Sequence, residues 1–290
     1  MRPEDCRRHY ENPLVTQEIA RYSRGRAVAV HCVTASRGIV VRYEPSSRKP
    51  LGRKPLRIEN PEDVLRIFSE LEARSPRTFY ATIHRYAWSN GEPVKRLSSM
   101  PSWDIDLLAD RPEAGVRAAE QILSTLEKLG VASSTIVKWS GGGFHIHIHD
   151  GAISPEIFTR HDPLDVAYAV TEYVSARCRD LGPDVRLENK VDPARVFTCP
   201  LSLHRSLDRV CVCIDPEEVG DFDVGWSDPD GFRHFMDWDR FVAGEADGLA
   251  LRALNEVGAY PIRRRRRVHR PVDEVVNRLL RRLGEGDLPV

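Results

Sequence analysis

The alternation of apolar and polar positions predicts a chain of short strands interleaved with amphipathic helices. Residues 28–34 and 38–44 are apolar, β-prone runs on either side of a Ser-Arg-Gly turn, which predicts a hairpin. Asn60-Pro61-Glu62-Asp63 has the composition of a helix start. The asparagine caps, the proline suits the first turn, and the acids meet the positive helix end. Val64, Ile67, Phe68 and Leu71 follow at helical spacing. Residues 78–84 read as a further strand.

The middle third has a clearer order. Residues 102–108 alternate as a strand. Asp110 and Pro112 open a helix with Val116, Ala119, Ile122, Leu123, Leu126 and Leu129 on one face and Gly130 as its stop. Strands at 134–139 and 144–149 flank the turn Ser140-Gly141-Gly142-Gly143. A helix over 163–180 and a strand at 209–214 follow. With one more strand before the last, the order is β-α-β-β-α-β, a ferredoxin-like arrangement of the α/β (α+β) class. Its central strands lie side by side, so residues far apart in sequence share a face. The tail differs: Arg263, Arg264, Arg265, Arg266 and Arg267 form a run continued by His269 and Arg270, and 271–284 has a helical apolar stripe ended by Gly284. Packing of that stripe on the body is favoured over a docking role.

Charge narrows the possibilities. Among 290 residues, Lys+Arg and Asp+Glu both number 43, which excludes a uniformly basic nucleic-acid coat and an acidic tail protein. Only 6 of the cations are Lys and 37 are Arg, whose planar fork suits phosphate. No apolar stretch approaches the ~18–20 residues of a membrane span, and the charged N-terminus lacks a signal-peptide core. No membrane partner is expected. The 6 cysteines are scattered without a CxxC pair, so neither a disulfide scaffold nor a zinc knuckle is indicated, and a reducing, cytoplasmic setting is expected.

Three segments carry candidate chemistry. In Trp103-Asp104-Ile105-Asp106-Leu107, strand periodicity puts Asp104 and Asp106 on one face and the apolar residues on the other. Two like charges so placed repel, and a divalent cation such as Mg²⁺ would relieve them; the bland reading is a solvent-facing polar edge. In the second segment, Ser140, Gly141 and Gly143 form a turn whose backbone N–H groups can approach phosphate. It feeds a strand on which His145, His147 and His149 share a face. A histidine contacting phosphate fits better than a zinc site, because no fourth ligand is placed by sequence. The third segment runs from Lys190-Val191-Asp192-Pro193-Ala194-Arg195 to Pro200-Leu201-Ser202-Leu203-His204-Arg205. Asp192 is a candidate third carboxylate, and Arg195, Ser202, His204 and Arg205 are candidate phosphate or nucleotide donors. Alone it would read as a loop with incidental polar residues.

The ordered set WDIDL, WSGGGFHIH and VDPARVFTCPLSLHR resembles the three motifs of archaeo-eukaryotic primases: DxD, a Gly-rich turn ending in His, and hydrophobic-Asp. The likeness is greatest to the catalytic small subunit of archaeal primase, whose third motif is followed by an Asp-x-x-Arg…Pro-x-Ser-Leu-His segment. TFYATIHRYA, before the DxD strand, is also similar. The resemblance covers about residues 25–215. It implies a primase-type catalytic core with an RRM/ferredoxin-like palm. On this reading residues 1–220 are the catalytic domain (an α/β module over 1–100 and the palm over 101–220), and 221–290 are a C-terminal helical extension with a basic linker at 263–270. It implies metal binding by Asp104 and Asp106, with Asp192 as the preferred third acid and Asp184 or Glu188 as alternatives. It implies phosphate contact by His145 and nucleotide binding by Ser140, Gly141, Gly143, Arg195, Ser202, His204 and Arg205. The chain departs from the family in a shorter segment between the second and third motifs, the missing Cys/His zinc knuckle there, and a turn one residue shorter. These bear on de novo priming and on pairing with a large subunit.

The expected activity is template-dependent transfer of an NTP or dNTP to a primer 3′-hydroxyl, with two Mg²⁺ or Mn²⁺ ions clamping the reacting oxygens. The expected partners are single-stranded DNA or a primer–template, the nucleotide, and a primase large subunit or another replication or repair protein. Arg48, Lys49, Arg53, Lys54 and Arg263–Arg267 are expected to follow the template backbone. The rival readings are a catalytically inactive primase-like protein that binds nucleic acid or a replication partner, and a metal-dependent nuclease.

Overall fold

The computed structural model describes residues 1–33, 38–45, 54–178 and 181–261. Two helices not predicted from the sequence open the chain, α1 (Pro3–Tyr10) and α2 (Pro13–Ser23). Each has a proline in its first turn, and Asn12 caps α2 by accepting the N–H of Leu14. The first sheet follows: β1 (Arg26–Val33), β2 (Gly38–Val41), then, after helix α3 (Pro61–Glu70), β3 (Pro76–Ser89) and β4 (Glu92–Ser99). Asn60 caps α3 as its sequence predicts. The strands run antiparallel in the order β2-β1-β3-β4. Strand β4, EPVKRLSS, has no apolar alternation to announce it and is held by backbone pairing to β3.

The second sheet is the palm. Its elements are β5 (Ser102–Leu107), α4 (Pro112–Lys128), β6 (Thr135–Trp139), β7 (Gly143–Ile148), the short α5 (Pro155–Arg160), α6 (Pro163–Ser175) and β8 (Val185–Glu188). Then come β9 (Val196–Thr198), β10 (Val212–Ile214) and α7 (Asp247–Val257). The order is β10-β6-β7-β5-β8 with every neighbour antiparallel. The mixed α/β class and the β-α-β-β-α-β order are therefore present, and β8 is the fourth strand of that unit. The predicted strand at 209–214 reduces to β10, a fifth strand on the β6 edge. The predicted helix at 163–180 ends at Ser175.

The two faces of the palm differ as strand periodicity requires. Trp103, Ile105, Val137, Trp139, Phe144 and Ile146 are buried on one face. Helix α6 lies against it, accepting the Trp103 indole N–H at Thr171 O, and α4 approaches so closely that a Cβ on Gly115 would sit 3.1 Å from the Phe144 ring. The other face carries Asp104, Asp106, Lys138, His145 and His147. Strand β9 leaves the palm and joins the first sheet, pairing Thr198 with Tyr80 and Val196 with Thr82 of β3. The chain between Glu188 and Val196 thus crosses from one sheet to the other.

Residues Met1–Tyr260 form one compact unit. The division expected after residue 220 falls inside it. Phe222 packs at a tilt with its ring centroid 5.0 Å from that of Trp139, Trp238 is buried with its indole N–H on Glu18, and α7 buries Leu249, Ala250 and Ala253. A turn-rich stretch with few, widely spaced anchors reads as an extension from sequence alone. The basic run at 263–270 and the helix predicted at 271–284 lie outside the described residues. All 6 cysteines are buried and unpaired. Among the described residues no helix is long and apolar enough to cross a membrane.

Candidate active site

Strand register assembles the site. Across β6, β7, β5 and β8, Lys138, His145, Asp104 and Glu188 are successive cross-strand partners and form one row on one face. Asp106 lies one step along β5, between Gly143 and Arg186. Lys190, just past the end of β8, reaches back over this row. Its Nζ lies 2.5 Å from Asp104 Oδ2, 2.9 Å from Asp106 Oδ2 and 3.0 Å from Glu188 Oε2. His145 Nε2 is 3.3 Å from Asp104 Oδ1. Arg186, on the rim, contacts Asp106 at 3.1 Å and Glu188 at 3.6 Å. An open cleft of about 450 Å³ lies over the acids, and Tyr80, Thr198, Arg195, His204 and Arg205 contribute to its other walls.

Burial pushes the Asp104 carboxyl up, but the His145 hydrogen bond and the Lys190 ammonium outweigh it and hold the group well below the usual carboxylate range. Burial likewise works against the Lys190 charge, and its bonds to Asp104 and Asp106 raise it above an ordinary lysine. His145 is lowered because burial outweighs the attraction of Asp104. These two directions fit a neutral His145 that donates Nε2–H to an ionised Asp104. Its Nδ1 is then a buried acceptor without a partner among the described residues. The ring packs edge-to-face against Phe197, centroids 4.8 Å apart. His145 thus sets its Nε2 against Asp104, and its ring also borders the cleft. At the β6 end of the row, buried Lys138 donates to Tyr22 Oη at 3.0 Å and Thr198 O at 2.8 Å, tying β9 to the palm.

The glycine turn is dictated by packing as well as by chemistry. Gly141 has φ +107°, and a Cβ there would lie 2.9 Å from His204 Cβ. A Cβ on Gly143 would lie 2.1 Å from Ile105 O, so the β5–β7 pairing itself requires glycine. Ser140 closes the turn, its N–H and Oγ–H both donating to Gly143 O at 2.9 and 3.1 Å.

The structure separates the other predicted residues. Asp192 is not brought to the acid pair. Its Oδ1 accepts the Ala194 N–H and its Oδ2 pairs with Arg195 at 2.7 Å, in the turn that follows β8. The acid that joins Asp104 and Asp106 is Glu188, because β8 and not the later loop lies beside β5. Asp184 pairs with exposed Arg111 instead. Ser202 is fully buried, accepting the Phe79 N–H at 2.8 Å and meeting Tyr10 Oη at 3.1 Å, and does not reach the cleft. Leu201 before it has φ +57°. His204 does line the cleft. Its Nδ1 accepts the Leu207 N–H at 3.0 Å, which leaves the proton on Nε2, and burial with the nearby Arg205 and Arg77 lowers its pKa to about 4. Arg205 is exposed at the cleft and pairs with no acid among the described residues. Arg195 is partly committed, donating to Lys190 O at 2.5 Å. Lys54 is exposed and is not among the cleft residues. Arg48, Lys49, Arg53 and Arg263–Arg267 lie outside the described residues. The sequence assigns Lys190 no role, since a lone lysine among motif residues carries no signal until the fold closes over the acids.

The fit to a divalent cation rests on donor chemistry and placement. Three carboxylates supply the hard oxygen ligands that Mg²⁺ or Mn²⁺ takes, and they already gather around one positive charge. Among the described residues no three His, Cys, Asp or Glu side chains are drawn close enough to hold a metal by themselves. The lysine nitrogen stands between them. The donors fit the ion in type, and their present spacing is that of an ammonium cage.

No family model matches the chain, and no curated protein matches it. Among solved structures, it is similar to the polymerase domain of Mycobacterium tuberculosis ligase D in complex with DNA. The TM-score is 0.53 at 13% identity, covering 89% of this chain and 90% of that one. The likeness extends over nearly the whole of both chains, and at this identity it establishes that the two share a fold.

Proposed function

We propose that this protein is a template-dependent nucleotidyltransferase of the primase–polymerase type, adding an NTP or dNTP to a primer 3′-hydroxyl. The observation that carries this reading is the cleft itself. Asp104 and Asp106 line it together with the donors Arg195, His204 and Arg205, and Glu188 joins the two acids through Lys190. Its volume, about 450 Å³, falls in the range of small-ligand sites. The shared fold with a polymerase domain points the same way.

Asp104, Asp106 and Glu188 would hold Mg²⁺ or Mn²⁺. Bound there, the ion supplies the charge that lowers the pKa of an attacking hydroxyl and balances the triphosphate. His145 keeps Asp104 ionised and aimed. The guanidinium forks of Arg205 and Arg195 suit bidentate pairing with phosphate oxygens. His204, neutral near pH 7, offers Nε2–H as a further donor beside the glycine turn. Tyr80 lines the same cleft, and its ring offers a surface on which a sugar or base would pack. The protein's contribution is chiefly positioning and fixed charge. Single-stranded DNA or a primer–template would follow the basic segments at 48–54 and 263–267, with an affinity that falls as salt rises.

A labelled primer–template incubated with Mg²⁺ or Mn²⁺ and nucleotides tests this. Extension that vanishes in Asp104→Asn plus Asp106→Asn is the expected result. Binding without extension would identify an inactive relative, and shortening of the primer would identify a nuclease.

A further inference from the structure

We infer that Lys190 is a built-in counter-cation, which cages the acids in the metal-free protein and has to leave when a divalent ion enters. Its ammonium then sets how tightly the site takes the ion. The inference rests on the proposed cation site at Asp104, Asp106 and Glu188, and adds a competitor within the chain.

Geometry makes the two cations mutually exclusive. Lys190 Nζ sits within 3.0 Å of an oxygen from each of the three acids. A small divalent ion needs those same oxygens at about 2.0–2.2 Å. An ammonium left in place would occupy ligand positions and repel the incoming charge. No other side-chain cation among the described residues touches all three acids. Arg186 touches two of them from the rim, with 55% of its side chain exposed.

The surroundings let the side chain move while the backbone stays. Arg195 Nε donates to Lys190 O at 2.5 Å. On the other side, Asn189 Nδ2 donates to Glu172 Oε1 at 2.9 Å and Asn189 Oδ1 accepts the Val191 N–H at 2.9 Å. The lysine backbone is pinned from both directions. Its side chain is 24% exposed and borders the open cleft, so the flexible four-carbon stem can swing into solvent. Exchange therefore calls for a side-chain rotation, and no strand has to move.

Mn²⁺ binding to the full chain, followed by electron paramagnetic resonance without nucleotide, separates the possibilities. Lys190→Met is expected to bind on the order of ten-fold tighter than wild type, ~1.4 kcal/mol. Arg186→Met removes the same charge from the rim and is expected to change affinity about two-fold or less. Equal tightening in both variants would show a diffuse charge effect and overturn the inference, as would no tightening in Lys190→Met. Loss of binding in Asp104→Asn plus Asp106→Asn locates the ion. Binding that persists there, or is absent from wild type and Lys190→Met alike, would refute the proposed site and this inference with it. Unchanged binding in Lys190→Met with a normal double variant would refute this inference alone. A wild-type measurement covers the case in which Lys190→Met fails to fold. The chain has only 6 lysines, so acetylation at each is readily mapped by mass spectrometry. Mg²⁺ should increase labelling of Lys190, and unchanged or reduced labelling would overturn the inference.

Discussion

The protein contains two clusters in which carboxylates meet cations, and they are built in opposite senses. In the first, Asp150 is 5% exposed and faces two guanidinium groups, Arg26 at 2.9 Å and Arg85 at 2.9 Å, with the Ser98 hydroxyl donating as well. One acid is saturated by two cations. In the palm, three acids share one interior lysine and one rim arginine, and a cleft opens above them. The Asp150 cluster is closed, and both oxygens of its buried carboxylate are bonded. The palm cluster keeps an excess of negative charge facing solvent, a cost to folding that a cation from solution would relieve. Surplus charge beside an accessible space, more than the count of ion pairs, separates a working site from a structural one.

The comparison breaks most readily at Asp150. Asp150→Asn leaves Arg26 buried beside a neutral amide, and removal of one partner from such a pair costs about 3–5 kcal/mol. Urea unfolding should show that loss with little change in nucleotide affinity. The Asp150 carboxyl is lowered to about 2, burial being outweighed by Arg26 and Arg85. A lowered acid stabilises the fold above its unfolded value, near pH 4, and loses that contribution as pH falls through about 2. The contribution is about 2 kcal/mol, and the acid limb of the stability profile should flatten in the variant. Asp104→Asn plus Asp106→Asn should do the reverse. Primer extension should fall by on the order of a hundredfold or more, since groups that merely support metal ligands already cost 10–100-fold. Stability should change by less than in Asp150→Asn, because Lys190 and Arg186, the cations freed, are partly exposed and Glu188 still pairs with Lys190. A large stability loss in this variant would place the palm acids with Asp150 as structural groups.

A finer test separates the acids at the end of the palm. Glu188→Gln should weaken Mn²⁺ binding by about ten-fold, ~1.4 kcal/mol. Asp192→Asn should change it about two-fold or less, because its carboxylate is spent on Arg195 and the Ala194 N–H. The reverse order would restore the assignment made from sequence. That assignment shows where the pattern of residues stops being informative. Asp104, Asp106 and His145 could be put on one face because strands of 6 residues with clean alternation define their own periodicity. Strand β8 is VRLE, 4 residues with two charges, and too short to show a period. Without it, Glu188 has no fixed place in the sheet and stays an alternative, and the acid after an apolar residue in the next loop is the one the motif favours. Lys190 was hidden for a related reason: its role exists only once the chain folds back between the two sheets. Strand β4 and helix α7 were missed because backbone pairing and a few anchors hold them where no amphipathic pattern is strong.

The smallest expected effect distinguishes two neighbours that the primase-like motif treats alike. Ser202 and Arg205 stand three residues apart, yet only Arg205 meets the cleft. The Ser202 hydroxyl accepts the Phe79 N–H inside the core. Ser202→Ala leaves that donor unpaired, and buried unsatisfied donors cost about 1–3 kcal/mol. The expectation here is the low end, about 1 kcal/mol, because relaxation of the neighbouring Tyr10 hydroxyl can recover part of the bond. Thermal unfolding should register the loss while the nucleotide KM stays within about two-fold of wild type. In Arg205→Ala the melting temperature should hold and the nucleotide KM should rise several-fold, as for loss of a charge-assisted bond to phosphate. A raised KM in Ser202→Ala with unchanged melting would mean that the hydroxyl turns outward on nucleotide binding. The positive backbone angle at Leu201 would then mark a hinge between the core and the cleft.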